Sequence, residues 1–187
     1  MTAVKLFPTI EEVFVDNYEK NNQHFLPIAS IDLSIIDKSL SGNIHLVYFN
    51  NDPYCDESIK HCNEFCDEDK VTFDMIDNKY RLKADYCYFS TNEDWIKYLE
   101  EGRKSYEENR KVYHQKNNLK INEVIKNLGE QPEWQQGDEW PTNLQGEKMI
   151  FICQVWSHDF IQDSCAEEIF LFYDKSNNLA VQIHQID

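Results

Sequence analysis

Basic residues, glycine and long apolar runs are all scarce in this chain. Lys and Arg number 18 against 34 Asp and Glu, a formal charge of −16 over 187 residues. Nucleic acid and anionic membranes are therefore poor direct partners, since each phosphate contact would work against the overall field. Only 5 glycines are present, and none forms a phosphate-cradling loop. No stretch approaches the roughly 18 consecutive apolar residues of a membrane helix. The longest candidates, such as Met149–Val155, are strand-sized. Met1–Ile10 lacks a cationic start followed by an apolar run, so it does not read as a secretory leader. The 6 cysteines are accordingly expected as reduced thiols in the cytoplasm, not as a disulfide framework.

What is present suffices for a packed interior. Apolar residues make up 41% and aromatics 13%, and the length suits one compact domain, 1–187. Thr9 and Glu12 match a capping box, and Ile10, Val13, Phe14 and Tyr18 follow at helical spacing, predicting a helix over about 10–20. Phe25–Ile31 and Asn43–Phe49 read as strands. Val71–Ile76 and Tyr80–Phe89 read as a hairpin turning at Asp77-Asn78, a pair that tolerates positive φ. Thr91 and Asp94 open a long helix whose face is marked by Trp95, Leu99, Gly102, Tyr106 and Tyr113. Glu100–Lys104 and Glu107–Lys111 are its favourable pairs. A second helix, Ile121–Leu128, should stop at Gly129. Met149–Trp156, Ile169–Tyr173 and Leu179–Ile186 return to strand, the last two joined across residues 175–178. The expected class is α+β: mostly antiparallel sheet, a short N-terminal helix, and a long helical excursion at about 92–128. Residues 25–52 and 149–174 also share a faint order of strand, loop, aromatic strand and polar turn with hardly any identical residues, which chance similarity of two hairpins explains nearly as well as duplication.

The acidity is uneven. Residues 93–126 carry 8 basic and 7 acidic side chains, leaving 10 basic against 27 acidic elsewhere. Acid concentrates in Asp52–Lys70, with 7 acidic and 2 basic residues, and in Glu130–Glu147, with 5 acidic and none basic. Both segments read as loops, where binding residues often sit.

From Leu128 onward the residues resemble a known family. Gly129-Glu130-Gln131-Pro132-Glu133-Trp134-Gln135-Gln136-Gly137-Asp138-Glu139 resembles the Gly-Gly-x-Pro-x-Trp-x-Gln segment of the YwqG-like bacterial family, whose biochemical function is unassigned. Met149-x-Phe151-x-x-Gln154-Val155, Phe170–Asp174 and Gln182-x-x-Gln185 continue the pattern. Glu130 replaces a second glycine, and Asp163–Glu168 replaces a glycine-rich approach to the penultimate strand. The resemblance covers about a third of the chain, implies a β-rich fold with added helices, and supplies no catalytic residues. Members occur beside secreted toxin genes, which implies an immunity role.

Candidate chemistry is sparse. Cys55, His61, Cys62, Cys66 and Cys87 offer donors suited to zinc, with Cys62-x-x-x-Cys66 at acceptable spacing. A structural zinc site usually shows two close pairs, and the second is missing here, so neither metal nor cofactor is expected. Consecutive Ser157-His158-Asp159 cannot converge into a relay if they lie on a strand, whose side chains alternate between faces. Trp134 and Trp140 flank amide and acidic side chains in a long irregular segment. Tryptophan anchors interfaces and carboxylates steer basic partners. The expected function is non-enzymatic binding of a basic protein, an immunity protein occluding a basic and possibly nucleolytic toxin. The expected contact residues are Asp67, Glu68, Asp69, Asp138, Glu139 and Trp140. The alternatives are a small-molecule-binding or hydrolytic protein with a pocket between the sheets, or a zinc-stabilised interaction domain.

Overall fold

The computed structural model describes residues 3–49, 52, 55–67, 69–162 and 167–186. In chain order these hold β1 (Val4–Leu6), α1 (Ile10–Val13), α2 (Tyr18–His24), β2 (Phe25–Asp32) and β3 (Asn43–Phe49). Then come α3 (Asp56–Ile59), β4 (Lys70–Ile76), β5 (Lys79–Leu82), α4 (Glu93–Lys116) and α5 (Ile121–Val124). The chain closes with β6 (Ile150–Trp156), β7 (Glu167–Asp174) and β8 (Leu179–Ile186). Two antiparallel sheets result, one ordered β1-β2-β3 and the other β5-β4-β8-β7-β6. The α+β expectation holds.

The Thr9–Glu12 capping box forms, but its helix is only one turn long. Phe14 leaves it to bridge Tyr80, and Asn17 takes φ 50° before α2 begins. Asp77 and Asn78 turn the β4–β5 hairpin with φ of 51° and 65°. Its second arm ends at Leu82, because Asp85 Oδ1 accepts the Cys87 N–H and starts a 3-10 turn over Tyr86–Phe89. The long helix begins after Asn92, and among the described residues its ion pairs are Lys97–Glu101 and Glu107–Arg110, not the expected Glu100–Lys104 and Glu107–Lys111. The 121–128 helix shortens to α5, since Lys126 pairs with Gln154 on β6.

The sheets share one core. β4 contributes Val71, Phe73 and Met75 and β7 contributes Ile169, Leu171 and Tyr173, facing Ile44 and Leu46 of β3. Tyr106 on α4 is buried and donates its hydroxyl to the Pro27 carbonyl (2.6 Å). Gly102 faces Ile161, where a Cβ would make ordinary van der Waals contact, so the turn packs on the core without needing glycine.

Two side chains from the larger sheet complete the free edge of β3. The Tyr80 hydroxyl bonds both N–H and C=O of His45. The Gln182 amide does the same for Val47, accepting from N (2.8 Å) and donating to O (2.6 Å). The hairpins β2–β3 and β6–β7 also carry the same irregularity. Each register slips by one residue, leaving Ile28 unpaired beside Val47 and Ile152 unpaired beside Phe172. Each bulged carbonyl accepts an N–H at 2.8 Å, from Phe7 and from Gly129, and both donors have positive φ.

Candidate functional site

The outer face of the larger sheet is only partly covered. Phe151, Phe170, Phe172, Val181 and Ile183 form a second, smaller cluster there, under Trp134, Trp140 and Met149 of the 129–149 segment. Trp134 stacks on Phe170 (4.6 Å between centroids), and the Trp140 indole donates to the Met149 carbonyl (2.9 Å). Of three buried glutamines on this sheet, two fasten the segment. Gln154 accepts the Glu133 N–H (2.8 Å) and donates to the Glu168 carboxylate, while Gln185 accepts from Gln135 and Gln136 and donates to Gly137. The third, Gln182, acts on the inner face as described, holding the sheet to β3.

Past Trp140 the covering layer stops. The outer faces of β4 and β8 then form the floor of a groove of about 860 Å³, with Thr72, Asp74, Leu179, Val181 and Ile183 beneath. One wall is Glu139–Leu144; the other comes from Glu64, Phe65 and Asp69. The two acidic segments thus meet across one opening. Burial, followed by the charge of Glu139, raises the Asp69 carboxyl above its ordinary value. The groove also holds Asp74 and Asp174 against Lys70 and Lys83, and Lys83 is already paired with Asp74 (3.1 Å). The Lys83 ammonium also lies 4.3 Å from the Phe65 ring centre, and Lys148 lies 4.4 Å from that of Trp140. Among the described residues lining the groove none is histidine, cysteine or serine; its titratable groups are carboxylates and two lysines.

Of the six expected contact residues, Asp69, Glu139 and Trp140 line this groove. Asp138 is exposed outside the lining and accepts the Trp140 N–H (3.0 Å), so it shapes the turn that presents the tryptophan. Asp67 is likewise exposed outside the lining, and Glu68 lies outside the described residues. Sequence reading missed the apolar floor of Leu179, Val181 and Ile183. Their alternation with Ala180 and Gln182 marks two faces, but only the fold shows which face borders the groove.

The other candidates separate. Ser157-His158-Asp159 forms a 3-10 turn, and the Ser157 hydroxyl accepts the Glu167 N–H (3.1 Å). Cys66 is fully buried and its thiol is pushed up to about 12 by that burial; Cys55 and Cys153 are also buried. Cys55, Cys62, Cys66, Cys87 and Cys153 are unbridged, and Cys165 lies outside the described residues. A smaller cavity of about 170 Å³ lies under α4, beside His24 and Arg103. It falls short of the roughly 300–1,000 Å³ usual for small-molecule sites. Among the described residues no helix is long and apolar enough to cross a membrane. No protein family, curated protein or solved structure matches the chain.

Proposed function

We propose that this chain is a non-enzymatic protein-binding domain whose acidic groove receives a basic segment of a partner protein. The supporting observation is the meeting of two acidic segments, distant in sequence, around an apolar floor edged by Trp140. Carboxylates on both walls would steer and orient a cationic partner, and the floor with the indole would hold it. The resemblance to the YwqG-like family makes the proposal more concrete: an immunity protein acting in the cytoplasm, its partner a basic toxin encoded nearby. A hydrolytic reading has less support, because no Ser–His or Cys–His pair is among the described residues lining the groove.

The test is capture of the neighbouring toxin-like gene product, followed by binding kinetics across a salt series. Asp69→Lys and Glu139→Lys should each slow association by about tenfold at low salt, an effect that shrinks as salt screens the walls. Asp67→Lys, outside the groove, should do much less. Equal effects from all three variants, or tight binding that none of them alters, would remove the groove from the account.

A further inference from the structure

The structure buries one member of the cysteine pair that the sequence brings forward and assembles a different donor set. Cys66 is sealed in the core. His61, by contrast, meets two residues more than twenty positions away: one ligand atom each of His61, Asp85 and Cys87 lies within 4.8 Å of the other two. Two elements fix this meeting. His61 follows the single turn of α3, while Asp85 and Cys87 flank the start of the 3-10 turn over Tyr86–Phe89. The buried Ser58 hydroxyl of α3 donates to the Tyr88 carbonyl and pins the two together. Asp85 is held in turn, because its Oδ1 accepts the Cys87 N–H (2.9 Å).

We propose that His61, Asp85 and Cys87 form an exchangeable zinc site, with Glu57 placed to supply the fourth donor. The Glu57 carboxylate lies 3.5 Å from His61 Nε2, one helical turn before it. An imidazole nitrogen, a thiolate sulfur and carboxylate oxygens suit zinc and exclude the hard cations, which take oxygen alone. Zinc bonds of about 2.0–2.3 Å at tetrahedral angles place ligand atoms roughly 3.5 Å apart. The three side chains therefore need close by only about 1 Å, within the reach of partly exposed rotamers. Cys87 now hydrogen-bonds Asp85, which raises its thiol above the usual value. On binding, the Cys87 S–H proton passes to solvent, a Zn–S bond replaces that hydrogen bond, and a neutral His61 ring donates its lone pair. Affinity should accordingly fall as pH drops. The bound ion would tie the segment before Glu64 and Phe65 to the turn that leads into α4. The site stands apart from the groove, so its test is independent of the partner.

The experiment uses the full chain, reduced and freed of metal, titrated with Zn²⁺ against a chromophoric chelator and separately with Co²⁺. One equivalent should bind, and the Co²⁺ form should show a thiolate-to-metal charge-transfer band. Cys87→Ser should abolish that band, and Cys87→Ser and His61→Ala should each weaken zinc at least tenfold. Glu57→Gln should weaken it less, and Cys62→Ser should change nothing. All of these side chains are at least partly exposed, so the variants should melt like the parent without metal. Binding below one equivalent, retention of the band in Cys87→Ser, or its loss in Cys62→Ser would each overturn the site. Weak uptake kept by every variant would mean an adventitious ion only, and would overturn it equally.

Discussion

Gln182 offers the sharpest test of how the two sheets are joined. Its side chain is fully buried and meets both backbone groups of Val47, at 2.8 and 2.6 Å. Val47 lies opposite Pro27 of β2 and, like His45 two residues before it, turns its N–H and C=O to the free edge of β3, where Gln182 meets them. Gln182→Met keeps the volume and strands one buried N–H and one buried C=O. At about 1–3 kcal/mol per orphaned group, the loss should be about 2–5 kcal/mol. Gln182→Glu makes the stronger prediction, because a neutral carboxyl can still accept from the N–H and donate its proton to the C=O. Ionised, it only accepts, and it would face the Val47 carbonyl inside the core. Its folded pKa must then exceed the unfolded value of about 4.3. The sign follows: the variant should match the parent below about pH 4.3 and lose stability as pH rises. The loss should run to about 1.4 kcal/mol per pH unit, reaching about 3–4 kcal/mol at pH 7 if the carboxyl stays protonated that far. Urea unfolding of both proteins between pH 4.5 and 7.5 reads this difference directly. A Gln182→Glu variant that tracks the parent at every pH would refute the bridge.

Other predictions rest on different parts of the molecule. Leu171 and Phe172 are both fully buried but on opposite faces of β7, in the main core and under the tryptophans. Alanine at either should cost about 2–5 kcal/mol by urea unfolding, and the Phe172 variant should also blunt the tryptophan fluorescence change. His24 and His45 are each held down to about 4, chiefly by burial. Since the unfolded rings titrate near 6.5, stability should fall as pH drops from about 6.5 to about 4, by up to ~1.4 kcal/mol per pH unit for buried His45 and by less for partly exposed His24, where solvent screens the charge. His24 stacks on Phe89 at 4.7 Å, so His24→Phe should keep the packing and flatten that slope by one proton. Trp140→Ala should raise the partner's off-rate more than it changes the on-rate, measured in the same kinetic series. An unchanged off-rate would reduce the indole to a cover for Phe151 and Phe172.

Elements whose determinants are local were legible in the sequence. β3 and β8 fall at their expected bounds, and Asp77-Asn78 supplies its turn. Where a local signal met a long-range partner, the partner won. The apolar period of residues 10–20 runs on through Phe14, yet Phe14 leaves the helix to pack against Phe25 and Tyr80. The alternation of Tyr80, Leu82, Ala84, Tyr86 and Tyr88 suggests one strand, yet Asp85 supplies a cap that ends the ladder. The site divides in the same way. Its charge was visible as two acidic segments, but their meeting depends on β4 lying beside β8, strands separated by a hundred residues of chain. The zinc donors illustrate the opposite hazard: close spacing drew attention to Cys62 and Cys66, while packing of α3 on the 86–89 turn brought His61 to Cys87.

The glutamines explain how an irregular 20-residue segment can be as well placed as a strand. Gln185 serves three backbone groups of residues 135–137 from a position on β8, and Gln154 holds Glu133 from β6. A primary amide presents one acceptor and two donors, so each side chain replaces the missing strand neighbour of the segment it holds. Asparagine would offer the same groups one methylene short, and glutamate would lose the donors. Gln154 and Gln185 thus form a pattern of anchoring. It says where the covering layer is tied down, and by the same token where it ends. That end lies just past Gly137, where Asp138 turns the chain and sets Glu139 and Trp140 over the open floor of β4 and β8. The groove exists because the anchoring stops there.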